Sequence, residues 1–437
     1  MKRDIEKKLS DWKKETNRKV LLIRGARQVG KTTSVRTLGK SFKHYLEVNF
    51  EEERDVKQFF SGSLNPLSIC QKFSAYYSIP IIKGDTLLFF DEIQACPEAL
   101  SALRFFYEKM PGLHVIAAGS LLEFALLEIP SHGVGRIRSL FMFPMSFNEF
   151  LLACDETGLM EMKSKATVKN PLDDIFHQKL IDYLKIFYFV GGMPEMVKAY
   201  AKHKDILRCQ SGLSDLIESL KDDFAKYKKR SPVQRLREVY HAIPLQAGSK
   251  FKFSNIGSFS CHNALKSSLD LIIQSGLAYK IYHTSAQGIP LGAQIKPNRF
   301  KVILNDPAIH QRLSGLNTRD LISARDLNII NKGCLAEIFV GTEILKYSSS
   351  ESKHQLFYWH KEQRGSNAEV DYLLQQNEKI LPIEVKSGTK GQMQSMRIFL
   401  KERHLDQGIR ISLENFARYE NITVYPLYAV SNIFGKK

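Results

Sequence analysis

The sequence predicts an α/β fold built on a parallel sheet, and three observations support this. An apolar run at residues 20–23 leads through a glycine-bounded loop into a helix-forming stretch that ends at Gly39. A second apolar run, at 86–90, ends in two carboxylates, as in a strand buried on both faces of a parallel sheet. Near the C-terminus, strand-like segments that carry acids alternate with helical segments, which predicts a second α/β core.

The glycine-bounded loop has the pattern of a phosphate-binding site. It reads GARQVGKT and matches G-x-x-x-x-G-K-[ST], in which backbone N–H groups surround the phosphates. Lys31 is expected on the β and γ oxygens, and the Thr32 hydroxyl on Mg²⁺. Glycines permit the positive φ angles of such a loop, and the following helix presents its N-terminal dipole. The predicted nucleotide-binding residues are Gly25, Ala26, Arg27, Gln28, Val29, Gly30, Lys31, Thr32 and Thr33.

The acids after the second apolar run predict a hydrolytic site. Asp91 is expected to hold Mg²⁺ through its water shell, and Glu92 to orient or deprotonate the attacking water. A small-molecule kinase also uses such a loop, but a base at Glu92 favours hydrolysis. Ser120 follows a third apolar run, and two interpretations stay open: a sensor of the γ-phosphate, or the N-cap of a helix over 121–127.

Composition excludes several protein classes. The 437 residues are 43% hydrophobic, which predicts two to four folded domains, and no apolar run is long enough to span a membrane. The charged N-terminus lacks an apolar secretory segment, so we expect a cytoplasmic protein. The six cysteines form no C-x-x-C pair, which predicts reduced thiols and no zinc site. A net charge of +17 favours an acidic partner such as DNA.

Several motifs together resemble the AAA+ superfamily, specifically a prokaryotic group of predicted ATPases. The resemblance rests on the segments GARQVGKTT, LLFFDEIQ, AAGSLLE, the pair Gly135-Arg136, LFMFPMSFNEFL, YFVGGMPEM, EVDYLL and PIEVKSG. It implies ATP and Mg²⁺ as cofactors and a chain order of P-loop ATPase, winged-helix-like module and nuclease-like domain. The corresponding ranges are 1–160 for the ATPase domain, 161–235 for its helical continuation, 236–325 for the winged-helix-like module and 326–437 for the nuclease-like domain.

The same resemblance implies a role for an arginine. Arg136 matches the group's Gly-Arg step and is the expected arginine finger or sensor, with Arg138 as the second choice. AAA+ fingers usually act across a subunit interface, so the resemblance also implies a homo-oligomer. The alternative, that Arg136 pairs with a surface acid, stays open.

The middle of the chain resembles a winged-helix module. We expect an exposed loop at 160–171 and two helices that meet at the Gly-Gly-Met-Pro break within 173–201. A basic cluster follows at 226–237. The winged-helix pattern comprises strands at 250–253, 277–283 and 300–305 with a helix at 263–274. The polar face formed by His262, Asn263, Lys266 and Ser267 is a candidate for the DNA major groove, or alternatively faces a neighbouring domain.

The C-terminal acids form a second candidate site. Glu337 lies on a predicted helix, Asp371 on a predicted strand at 368–374, and Glu384 and Lys386 on the next strand, joined to it as a hairpin. Because side chains alternate along a strand, Glu384 and Lys386 share a face and Asp371 can lie beside them. Such a set suits Mg²⁺-dependent phosphodiester cleavage, with the acids on the metal and Lys386 beside the nucleophile.

This C-terminal set resembles the PD-(D/E)XK, or restriction-endonuclease-like, fold. The resemblance implies Glu337, Asp371 and Glu384 as metal ligands and Lys386 as the catalytic lysine, although Val370 replaces the usual proline. Two alternatives stay open: ordinary edge-strand charges, and a domain that binds DNA without cutting it. The sequence therefore predicts an ATPase coupled to DNA binding or processing. The alternative is a non-cleaving ATP-dependent switch or scaffold that binds a protein partner through the winged-helix-like module.

Overall fold

The computed structural model describes most of the chain and divides it into two compact units. The described residues are 1–120, 122–128, 135–257, 260–315, 333–352, 354–361, 368–376, 378–389 and 391–435. The N-terminal unit comprises residues 2–143 and 349–353, and the C-terminal unit comprises 144–348 and 354–437. Within the described residues, no helix is long and apolar enough to cross a membrane.

The N-terminal unit is a parallel sheet with helices, as the sequence predicts. Its described elements are α1 (Ile5–Lys14), β1 (Val20–Arg24), α2 (Lys31–Gly39), β2 (His44–Asn49), α3 (Pro66–Tyr77), β3 (Thr86–Asp91), α4 (Pro97–Lys109), β4 (His114–Ala118), α5 (Leu122–Glu128) and β5 (Ile137–Phe141). The five strands described here lie in the order β2-β3-β4-β1-β5, and every pairing is parallel.

The position of the central strands follows from their composition. Every residue of β3 and β4 is buried, as continuous apolar strands covered on both faces require. Aromatic side chains fill one face, where Phe50, Phe60 and Phe73 pack around Phe90 with ring centroids 5.7–5.9 Å away. Because all strands are parallel, the residues after β1, β3 and β4 meet at one edge of the sheet.

The C-terminal unit contains helices and a mixed sheet. Its described helices are α6 (Phe147–Ala153), α7 (Thr157–Lys165), α8 (Asp174–Val190), α9 (Pro194–His203), α10 (Ile206–Asp222), α11 (Val233–Leu245), α12 (His262–Gln274), α13 (Pro307–Leu313), α14 (Cys334–Tyr347) and α15 (Gln394–Glu402). Its described strands are β6 (Ala278–Thr284), β7 (Ile295–Leu304), β8 (Leu356–His360), β9 (Glu369–Gln376), β10 (Lys379–Val385), β11 (Gly408–Ser412), β12 (Ala417–Tyr419) and β13 (Ile422–Pro426).

One sheet joins segments that the sequence assigns to different modules. The eight described strands have the order β12-β13-β11-β10-β9-β8-β6-β7. The predicted hairpin of β9 and β10 is present, with Lys379 opposite Gln376, and Asn377 in its turn lies outside the described residues. The β6–β7 hairpin, predicted for the winged-helix-like module, pairs through β6 with β8. The predicted module boundaries stay predictions, and the one after residue 325 lies outside the described residues.

Two local predictions are wrong. The expected exposed loop at 160–171 begins inside α7, because Leu159 and Lys163 are buried on one face of that helix and packing overrides its polar composition. The expected strand at 250–253 is not a strand; a 3₁₀ helix spans Phe253–Ile256, and Phe251 makes a single backbone hydrogen bond, from its N–H to the Phe300 carbonyl. The helix expected over 121–127 is α5, with Leu121 outside the described residues.

The two helices at the Gly-Gly-Met-Pro break are confirmed as α8 and α9. Gly192 donates its N–H to Asp306 Oδ2 at 2.6 Å, and a Cβ at this glycine would lie 2.2 Å from the Met145 carbonyl oxygen. The break therefore serves close backbone packing within the C-terminal unit.

Candidate functional site

The loop between β1 and α2 has the backbone of an anion-binding loop. Gly25, Gln28 and Gly30 have φ angles of 149°, 64° and 96°. A side chain is rarely found in the left-handed region, so Gln28 is held in a costly conformation by the loop around it. A Cβ at Gly25 would lie 2.1 Å from the Met142 carbonyl oxygen, so only glycine fits there. Left-handed residues such as Gln28 and Gly30 let successive backbone N–H groups turn toward one side of a loop, which suits a phosphate chain.

Lys31 lies inside this loop and is 7% exposed. Its ammonium donates hydrogen bonds to the carbonyl oxygens of Ala26 at 2.8 Å and Gly25 at 3.0 Å. Burial lowers the pKa of Lys31 to about 8, against the opposing charges of Glu92 and Asp91. In this structure the ammonium has neutral carbonyl partners close by, and an anionic phosphate would be a stronger one.

Thr32 and Asp91 form the pair predicted to hold Mg²⁺. The Thr32 hydroxyl donates to Asp91 Oδ2 at 2.7 Å, which joins the start of α2 to the end of β3. Asp91 is 4% exposed, and burial raises the pKa of its carboxyl group. Hydroxyl and carboxylate oxygens are suitable Mg²⁺ ligands beside a phosphate chain. The residues present therefore fit an ATP–Mg²⁺ complex.

Glu92 is held by two neighbours beside this pair. It follows β3 with a φ of 46°, which turns its side chain out of the strand direction. Its Oε2 atom accepts a hydrogen bond from Gln94 Nε2 at 2.6 Å and a weaker one from the Ser120 hydroxyl at 3.4 Å. Gly119 leaves room for the glutamine, since a Cβ there would lie 2.0 Å from Gln94 Oε1. Ser120 thus contacts the predicted base, and its sensor role stays a prediction.

The predicted arginines lie at the other end of the sheet. Ile137 pairs with Val20 and Phe141 with Arg24, so Arg136 is level with the start of β1. At 3.3 Å per residue, this is roughly 13 Å along the strands from the loop of its own chain. Arg136 forms an ion pair with Glu108, and Arg138 with Glu15 at 2.5 Å. A finger role for Arg136 therefore requires the site of a neighbouring copy, and it stays a prediction.

The C-terminal acids lie together on the mixed sheet. Asp371 Oδ2 on β9 accepts a hydrogen bond from the Val385 N–H at 2.7 Å, and Glu384 Oε1 on β10 pairs with Lys386 Nζ at 2.7 Å. Burial and the Asp371 charge raise the pKa of Glu337, and burial raises the pKa of Asp371. The structure thus brings together the four residues that the sequence singles out.

A lysine that the sequence analysis does not single out lies among these acids. Lys301 of β7 is 2% exposed and forms ion pairs with Glu337 Oε2 at 3.7 Å and with Glu369 Oε1. Among the described residues, no group of three or more His, Cys, Asp or Glu side chains is arranged to hold a metal ion. The metal-ligand roles of Glu337, Asp371 and Glu384 stay predictions, and in this structure the Lys301 ammonium pairs with one of these three carboxylates, Glu337.

The basic cluster at 226–237 is in contact with α12 and with the segment before it. Ser231 is 2.8 Å from Ser268 between their hydroxyl oxygens, and Arg235 Nε donates to the Ser260 hydroxyl at 3.0 Å. Ser231 thus joins the segment before α11 to α12, and Arg235 joins α11 to the segment before α12. We define the basic surface as the exposed residues Lys228, Lys229, Arg230 and Lys266 together with Arg235.

Comparison with known families agrees with the geometry of the loop. A family model described as an AAA domain matches residues 17–151. The matched range is thus similar to an AAA domain, and it includes the loop before α2 and the Asp91-Glu92 pair. Two models described as domains of unknown function, DUF8612 and DUF4143, match residues 181–320 and 332–430. No curated protein sequence matches the chain.

Two solved structures are similar to the chain at low identity. One is a Walker-type ATPase of Pyrococcus abyssi, with 17% identity and a TM-score of 0.45 over 71% of this chain and 94% of that one. The other is the Orc1 protein of Aeropyrum pernix in complex with DNA, with 11% identity and a TM-score of 0.30 over 72% of this chain and 93% of that one.

Three residues at these sites were missed by sequence reasoning. Gln94 lies two residues after Glu92, and an amide so close to the acid pair could have been recognised from the sequence. Lys301 and Glu369 had no such signal, because pairing through β6 and β8 brings β7 and β9 into one sheet.

Proposed function

We propose that this chain binds ATP with Mg²⁺ and hydrolyses the nucleotide, and that turnover is coupled to DNA binding. The observation that carries the first part is the Thr32–Asp91 hydrogen bond at 2.7 Å beside Lys31, with Glu92 one residue further. A hydroxyl, a carboxylate, an ammonium and a second carboxylate at one sheet edge are the parts that nucleotide hydrolysis needs.

Each side chain has a distinct task in this proposal. Lys31 exchanges its carbonyl partners for the β and γ oxygens, which stabilises charge that develops on the phosphates. Thr32 and Asp91 would hold the Mg²⁺, which neutralises phosphate charge when bound. Glu92, oriented by Gln94 and Ser120, accepts a proton from the attacking water or orients it.

Phosphate release from ATP tests the hydrolytic proposal. Lys31→Ala should abolish nucleotide binding and turnover, and Glu92→Gln should abolish turnover while nucleotide still binds. Lys43→Ala, a surface change in the same unit, is the matched control and should leave both unchanged. Turnover that survives in both site variants would exclude this site as the source of hydrolysis.

A neighbouring copy supplies Arg136 in the same proposal. Arg136 lies at the start of the strands, whereas the loop of its own chain lies at their far end. It can therefore complete only the site of another chain. Mixing inactive Arg136→Ala with inactive Glu92→Gln should restore part of the activity, since one interface then combines an intact Glu92 with an intact Arg136. Mixtures that stay as inactive as their components would remove Arg136 from the mechanism.

The basic surface beside α12 supports DNA as the partner. It consists of the exposed Lys228, Lys229 and Arg230, together with Lys266 of the polar face of α12 and Arg235, and the chain carries a net charge of +17. Phosphate contacts of this kind release counterions, so affinity should fall steeply as salt rises. DNA cleavage is not part of the proposal, because the Lys301 ammonium pairs with Glu337, one of the predicted metal ligands.

Fluorescence anisotropy with labelled DNA, measured over a salt series, tests the partner. Lys228→Ala with Lys229→Ala should weaken binding and reduce the salt slope by about 1.8, at 0.9 per lost phosphate contact. Lys198→Ala with Lys202→Ala, two exposed lysines of α9, should leave the slope unchanged. If no DNA binds or stimulates ATP turnover, the alternative is favoured: a non-cleaving ATP-dependent switch or scaffold with a protein partner.

A further inference from the structure

The acidic cluster of the C-terminal unit contains its own cation. Lys301 reaches from β7 to Glu337 on α14 and to Glu369 at the start of β9. Its side chain is 3% exposed, whereas those of the two acids are 23% and 29% exposed. The ammonium is therefore on the inner side of the cluster, and the acids separate it from solvent.

The electrostatics keep this lysine charged. Its buried ammonium forms ion pairs with both Glu337 and Glu369, so two carboxylates compensate for the loss of water around it. A buried ammonium is retained only where such partners compensate its lost hydration. Lys301 therefore supplies the positive charge that lets several carboxylates lie close together.

The remaining acids of the cluster also have protein partners. Asp371 accepts the Val385 N–H, and Glu384 Oε1 pairs with Lys386. Glu384 Oε2 is buried and accepts no hydrogen bond from the described residues. A metal ion bound to Glu337, Asp371 or Glu384 would therefore have to share or displace these protein contacts.

We propose that Lys301 is the permanent cation of this cluster, and that the cluster binds a divalent metal ion only when Lys301 is replaced by an uncharged side chain. A metal ion bound by Glu337 would lie close to the ammonium, and the two cations would compete for the same carboxylates. The inference depends on neither ATP hydrolysis nor DNA binding. Lys301 also ties the β6–β7 hairpin to the α14–β9 part of the unit.

Mn²⁺ binding to the full chain without nucleotide, followed by electron paramagnetic resonance, tests the proposal. The wild type should bind no Mn²⁺ through Asp371, so the amount of bound Mn²⁺ should be the same in the wild type and in Asp371→Asn. Lys301→Met should gain one Mn²⁺ with at least tenfold tighter affinity, and the added Asp371→Asn change should remove it. Lys379→Met, an exposed lysine-to-methionine change on β10, is the matched control and should behave as wild type.

Thermal unfolding provides the second measurement. The melting temperature of Lys301→Met should rise with Mn²⁺, and that of the wild type should not. If Lys301→Met does not fold, Lys301→Met with Glu369→Gln removes one charge of each sign and takes its place in both assays. Mn²⁺ bound to the wild type through Asp371, or no gain of Mn²⁺ in a folded Lys301 variant, would overturn the proposal.

Discussion

ATP binding should weaken as pH rises through about 8, because the charge of Lys31 is marginal in the free protein. Burial lowers the pKa of Lys31 to about 8 from its ordinary value of 10.5. A bound triphosphate favours the charged ammonium, so the pKa of Lys31 rises on binding and binding takes up a proton at high pH. Phosphate groups have a second pKa of about 6, so the ligand itself is ionised throughout the alkaline range.

The size of the effect follows from the shift. The protonated fraction of Lys31 falls from about nine-tenths at pH 7 to about one-tenth at pH 9, given a pKa of about 8. The Kd of ATP should therefore increase about tenfold between these pH values, equivalent to about 1.4 kcal/mol. Below pH 7 the affinity should level off, since Lys31 is then fully charged.

Titration with a fluorescent, non-hydrolysable ATP analogue in Mg²⁺ at pH 7, 8 and 9 measures this dependence. Lys31→Arg is the matched control, because a guanidinium stays protonated over the whole range. Its affinity should be independent of pH even where the altered geometry makes binding weaker overall. A wild-type Kd that stays constant, or an equal slope in Lys31→Arg, would refute the assignment of this charge to the loop.

Three further predictions concern single side chains. Gln94→Leu removes the donor that orients Glu92, so the turnover number should fall about tenfold to a hundredfold while the Kd of the analogue stays unchanged; equal turnover would contradict the positioning role. Gly25→Ala should abolish analogue binding because its Cβ would overlap the Met142 carbonyl, whereas Gly62→Ala, at φ 81° with open space, should bind normally. Lys163→Met should stabilise the C-terminal unit by about 3 kcal/mol at pH 7. Burial lowers the pKa of Lys163 to about 7, and this shift gives the free-energy cost of burying the lysine, from which the one hydrogen bond that the variant loses is subtracted. Wild-type stability should rise between pH 7 and 10.5, because in this range only the unfolded state binds the Lys163 proton. Urea unfolding, followed by Trp359 fluorescence in a Trp12→Phe background, should show this rise in the wild type and not in Lys163→Met.

The nucleotide loop was predictable because its signals are local. Residues 25–32 contain the glycines, the lysine and the hydroxyl in one short continuous segment. The apolar runs before Gly25 and Asp91 predict buried parallel strands. Because these strands are parallel, the topology alone predicts that the residues after them meet at one edge of the sheet. The role of Gln94 could in principle have been predicted, since Gln94 lies two residues beyond Glu92. Its hydrogen bond to Glu92 depends, however, on the left-handed φ of Glu92.

The C-terminal cluster was predictable only in part. Asp371 and Glu384 lie on adjacent strands of a hairpin, so the alternation of side chains brings them together. Lys301 and Glu369 are brought into the same cluster by two strand pairings between distant segments, which no local pattern encodes. The same limit explains α7, where a polar sequence forms a helix because tertiary packing buries Lys163.

The two buried lysines at the predicted sites differ in one respect that decides what each site accepts. Lys31 has carbonyl partners, and burial leaves its pKa lowered, so an incoming phosphate improves its surroundings. Lys301 has carboxylate partners that leave its pKa raised, so its charge is already compensated. An anion is therefore stabilised at the first site, and a cation is repelled at the second. On this argument, Lys31 in the loop of the AAA domain can exchange its carbonyl partners for an anionic ligand. The acidic cluster is a fixed ion-pair network that holds the mixed sheet together.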